Sequence, residues 1–91
     1  MPHNLVVVKP GAIEEIGTAA DLMAADVKAR AKDYVPASKK VLWSTDLLQP
    51  KERHELKFMA PAEPGEYSFV CTYPGHWRVM RGKLVVVAGR N

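Results

Sequence analysis

Apolar residues recur at two different periods along this chain. Leu5-Val6-Val7-Val8 is a short β-branched run closed by Lys9-Pro10-Gly11, and it predicts a first strand over residues 5–8. Ile13 and Ile16 then lead into Gly17, and Thr18-Ala19-Ala20-Asp21 has the spacing of a capping box with aspartate in the acceptor role. Leu22, Met23 and Val27 lie in the alanine-rich stretch that follows. They predict one amphipathic helix of about three turns over residues 18–31, ended by Tyr34-Val35-Pro36. The pattern then turns to strands at residues 41–45, 55–59, 67–72 and 83–87. Leu56 and Phe58, and then Tyr67, Phe69 and Cys71, alternate at period two, which puts each set on one face of its strand. Leu48-Gln49-Pro50-Lys51, Ala62-Glu63-Pro64-Gly65 and Tyr73-Pro74-Gly75-His76 read as turns or loops. No repeat or linker interrupts the sequence, so residues 1–91 form one domain, a β-sandwich carrying a helical insert.

Composition narrows this picture only slightly. With 47% hydrophobic and 25% charged residues the chain is globular. No apolar run has the length of a membrane span, and Met1-Pro2-His3-Asn4 does not open a secretory leader. The net charge is +3, and the lysines and arginines are dispersed. A nucleic-acid surface would want a basic stripe interleaved with aromatics, so none is expected. The charge is compatible with a mild preference for acidic protein partners. Cys71 is the single cysteine, so no intrachain disulfide forms. A lone cysteine is commonly a small buried hydrophobe, and its neighbours must decide its role.

Those neighbours are informative. Cys71, His76 and Met80 follow one another as C-x4-H-x3-M on a loop between two strands. A thiolate, an imidazole and a thioether make a soft donor set, and two histidines plus one cysteine with a long axial methionine is the blue-copper arrangement. That scheme needs a second histidine, and His3 and His54 remain. His54 lies in the polar run Pro50-Lys51-Glu52-Arg53-His54, which reads as a solvated turn, whereas His3 stands just before a strand. His3 is the better candidate.

His3-Asn4 ahead of a strand, the Ala19-Ala20-Asp21 helix, Lys32-Asp33-Tyr34, residues 41–47, Cys71-Thr72-Tyr73-Pro74-Gly75-His76 with Met80, and Gly82-Lys83-Leu84 together resemble the azurin and auracyanin cupredoxins over almost the whole chain. The resemblance implies an all-β, cupredoxin-like Greek-key β-sandwich with one helical insert at about residues 18–31. It implies one type 1 copper per chain, with His3, Cys71 and His76 as equatorial ligands and Met80 as the weak axial one. Asn4 would tie the first-ligand segment to the cysteine loop, and Thr72 would support the thiolate. Azurins place a glycine before the first histidine and bring its carbonyl towards the metal. Here that position is Pro2, which keeps the carbonyl but fixes φ. Trp77 stands where the family carries a small residue. It either packs over the loop or forms, with Met1 and Pro74, an apolar face for docking a partner.

The implied activity is electron transfer by a copper cycling between Cu(II) and Cu(I), without enzyme catalysis, because no coordination position is left for substrate. Redox proteins such as cytochromes or copper/haem oxidoreductases would be the partners, in the periplasm or elsewhere outside the cytoplasm. The family carries further strands ahead of the first histidine. An N-terminally truncated sandwich is therefore expected, a fragment of a longer chain or one completed by self-association or a partner segment. Other readings are an electron-relay module of a larger redox enzyme, copper binding or delivery without redox turnover, a structural zinc site, and a metal-free interaction module.

Overall fold

The structure is a computed structural model, and it describes residues 2–88. Four strands, β1 (Val6–Val8), β2 (Val41–Ser44), β3 (Gly65–Val70) and β4 (Arg81–Val86), form one antiparallel sheet in the order β2-β1-β3-β4. The β2–β3 connection, residues 45–64, bridges across β1, which is the skipped-strand connection of a Greek key. β1 is central and all three of its valines are buried, which explains why it is an unbroken β-branched run rather than an alternating one. Met1 lies outside the described residues.

Alternation sorts the remaining strands between two faces. Val6 pairs with Val70 on one face, and these two with Val8 receive Ile16, Ala12 and Trp77 as the main core. On the other face Val7 lies between Trp43 and Phe69, and Phe69 crosses Gly82, where a β-carbon would overlap the Phe69 ring.

The helix differs from its expected position. α1 (Ile13–Met23) begins five residues before Thr18, so Thr18 lies inside it and the Thr18–Asp21 capping box is not used. Its first residue follows Ala12, which offers no side-chain cap. Tertiary burial decides the start. Ile13, Ile16 and Ala20 share one face at helical spacing and pack on or near the core valines. Glu14 and Glu15 in the first turn suit the positive end of the helix dipole. The helix also ends early. Asp26 Oδ1 accepts the Lys28 amide at 2.9 Å, a local turn that competes with helix, and Val27 is left exposed. A 3₁₀ turn (Ala29–Lys32) follows and closes on Asp33 and Tyr34, both left-handed at φ 55° and 56°.

The strand expected at residues 55–59 is not formed. Its period-two pattern is nonetheless used. Phe58 packs on Trp43 with ring centroids 4.7 Å apart and Leu56 is half-buried, without a backbone ladder. Alternation reports which side faces the protein, and pairing needs a free strand edge as well. The other three expected strands lie within two residues of β2, β3 and β4. No helix among the described residues is long and apolar enough to cross a membrane.

Candidate metal centre

The loop between β3 and β4 is built from two tight turns. Tyr73-Pro74-Gly75-His76 is closed by the His76 amide donating to the Tyr73 carbonyl at 3.0 Å, with Gly75 at φ 84°. Proline second and a left-handed glycine third are what a type II turn requires. The chain then makes a helical turn, in which the Met80 amide donates to the His76 carbonyl at 2.8 Å. Residues four apart in such a turn lie on one side, which is the physical content of the H-x3-M spacing. At the base the Cys71 amide donates to the Met80 carbonyl at 2.9 Å, so the loop is closed where it leaves the sheet.

His3 comes from elsewhere. Its amide donates to the Leu48 carbonyl at 2.9 Å and its carbonyl accepts the Leu48 amide at 2.7 Å, a single bridge ahead of β1. The next residue fastens this segment to the cysteine loop. Asn4 Nδ2 donates to Thr72 Oγ1 at 2.8 Å and to the Asp33 carbonyl at 2.9 Å, and Asn4 Oδ1 accepts the Thr72 amide at 2.8 Å. Both Asn4 and Thr72 are buried, so these bonds are shielded from water. The residues after His3 and after Cys71 are thereby held as a pair.

Three donors converge. Cys71 Sγ lies 3.4 Å from His76 Nδ1 and 4.0 Å from His3 Nδ1, and ligand atoms of the three residues fall within 4.8 Å of one another. A metal bonded to nitrogen at about 2.0 Å and sulfur at about 2.3 Å separates those two atoms by roughly 3.5–3.7 Å, so the donors stand at ligand spacing. Cys71 is 3% exposed and His76 8%, while His3 is open to solvent. Burial lowers the pKa of His76 below its ordinary value, and the facing His3 ring, 5.1 Å away between centroids, adds to this. Both effects favour the neutral imidazole that metals bind. Met80 is 38% exposed and shares an apolar hollow with Cys71, Leu5, Phe69 and Val79. Thiolate, two imidazoles and a nearby thioether are a soft set, and it fits copper.

Other expected residues fall as follows. Pro2 is buried and Pro74 is half-buried in its turn. His54 lines a hollow that also contains His3, and it is not among the three gathered donors. Trp77 presents no apolar face to solvent: it is 5% exposed, with its ring against Gly17 of α1. Of the two alternatives for Trp77, its side chain follows packing, taken up by the core, and Met1 of the other alternative lies outside the described residues. Asp33 is a further tie that the sequence does not signal: its carbonyl holds Asn4 and its carboxylate accepts the Leu47 amide at 3.0 Å. No sequence pattern announces two successive left-handed residues, and the long separation of its partners hides the role.

A sulfur–imidazole donor cluster at one end of an antiparallel sheet fits a copper-binding β domain. A family model described as copper binding proteins, plastocyanin/azurin family, matches residues 1–87, and the chain belongs to that family. It is 41% identical over 86 residues to auracyanin-A of Chloroflexus aurantiacus, covering 92% of this chain and 50% of the relative. It is 36% identical over 87 residues to azurin of Achromobacter denitrificans, covering 92% and 55%. The solved structure of dithionite-reduced auracyanin from Roseiflexus castenholzii aligns with TM-score 0.79 at 33% identity, over 97% of this chain and 68% of the other. The chain thus spans about half the length of these two curated relatives.

Proposed function

We propose that the chain is a type 1 copper electron-transfer protein in which His3, Cys71 and His76, with Met80 beside them, would hold the copper. The observation that carries this reading is the convergence of the three donors at ligand spacing beside Met80. Copper held there supplies one-electron chemistry, Cu(II) to Cu(I) and back. The chain's own contribution is constancy of geometry. Cys71, His76 and Met80 sit on one loop closed by its own backbone bonds, and Asn4 and Thr72 lock the His3 segment to it. Donors held in this way need little rearrangement when the charge of the site changes, which keeps the barrier to electron transfer low. Cys71 is buried, so water reaches it poorly, and the neutral form of His76 is favoured, so protons compete poorly for that imidazole.

By resemblance to the family, the partners are redox proteins such as cytochromes or copper/haem oxidoreductases, and the setting is outside the cytoplasm. No catalytic residue is assigned. Voltammetry of the copper-loaded chain tests the reading: a reversible one-electron wave is expected. Copper that is bound but not reducible on the electrode would instead favour storage or delivery.

A further inference from the structure

Neighbouring residues of the ligand loop send their side chains to opposite sides. His76 points to Cys71, and Trp77 points to α1. The Trp77 ring lies where only a glycine leaves room, since a β-carbon on Gly17 would overlap it. One turn further along α1, Asp21 receives both successive residues of the loop. The Trp77 Nε1–H donates to Asp21 Oδ1 at 3.1 Å, and an Arg78 guanidinium N–H donates to Asp21 Oδ2 at 2.9 Å. Arg78 also lies 4.6 Å over the Trp77 ring.

These contacts differ in weight. The Arg78–Asp21 pair is largely exposed, with the arginine side chain 62% accessible, and exposed pairs contribute little. The indole bond to the same carboxylate is partly buried, and that shielding from water makes it the weightier of the two. It fixes the large aromatic side chain that directly follows His76.

We propose that Asp21 is a positioning residue for the copper site, holding His76 in register through Trp77. This inference rests on the reading of His76 as a copper ligand. Asp21 touches neither the donors nor a metal. It clamps the loop on a rigid helix, so that the His76 backbone stays where the imidazole meets Cys71 when the charge of the site changes. The sheet anchors Cys71 and α1 anchors His76, so the two donors are held from different elements.

The test compares Asp21→Ala and Trp77→Phe with Asp21→Asn and Arg78→Ala, each in the full 91-residue chain. Asp21→Asn keeps an oxygen for the indole N–H, and Arg78→Ala keeps the Trp77–Asp21 bond. In Asp21→Ala and Trp77→Phe, Cu(II) loss to a chelator should be about tenfold faster, the size typical of lost outer contacts at metal sites, and the thiolate–copper band should shift. Asp21→Asn and Arg78→Ala should stay close to the parent. In the metal-free chain, amide exchange at His76, Val79 and Met80 should rise in the first two variants only. Unchanged copper loss, band and exchange would overturn the proposal, and so would a lowered melting temperature with those three readouts unmoved. A parent chain with no thiolate–copper band would bring down the copper reading instead. The positioning role would then be decided by the amide exchange.

Discussion

Two long connections meet at the candidate metal centre, and they are held in opposite ways. The β3–β4 loop, residues 71–80, is closed by four of its own backbone hydrogen bonds and buries Cys71, Thr72, His76 and Trp77. The β2–β3 connection, residues 45–64, is fastened near its start by Thr45, Leu47 and Leu48. Beyond Glu52 it runs mostly exposed, with Phe58 on Trp43 and the Tyr67 hydroxyl on the Glu63 carbonyl as side-chain ties. The first connection carries two donors and the methionine. The second supports only the strand end beside His3. Backbone closure is therefore concentrated around Cys71 and His76, and the two sides are coupled through Asn4.

The contrast is broken most severely at Asn4. Asn4→Ala removes the partners of the buried Thr72 amide and hydroxyl. It should cost about 2 kcal/mol in urea unfolding and lower copper affinity by about tenfold or more. Gly75→Ala probes the tight loop from within. There is open space for a methyl, so the cost is the left-handed backbone alone, about 1 kcal/mol, read as a fall in the unfolding midpoint. A pH series reads the burial of His76. Its pKa is lowered in the fold, so the unfolded chain takes up the proton first as pH falls below about 6.5. The metal-free chain should lose stability through that range and level off below the lowered pKa, and His76→Gln should remove this dependence. The smallest effect belongs to the loose connection. Phe58→Ala should cost about 1 kcal/mol or less, chiefly the contact with Trp43, with copper affinity unchanged in a competition assay.

What the sequence made legible follows the same division. Cys71, His76 and Met80 could be read as a site because their geometry is local: two turns with known residue requirements set it. β1, β3 and β4 could be read because β-branched and alternating runs carry their own period. The helix start was hidden, since the burial of Ile13 and Ile16 against Val6, Val8 and Val70 overrides a good capping pattern at Thr18. Residues 55–59 carry the alternation of a strand without a partner edge. The place of Trp77 could not be read either. It depends on Gly17 and Asp21, far away in sequence, and a glycine within a helix looks like a weakness until the ring that fills its place is seen.

The most direct measurement is the visible absorption spectrum of the chain after addition of Cu(II), beside that of Cys71→Ala. An intense blue band in the parent, bleached by ascorbate and missing from the variant, is the predicted result. A colourless copper complex, or a band that survives Cys71→Ala, would contradict a thiolate–copper site built from these residues.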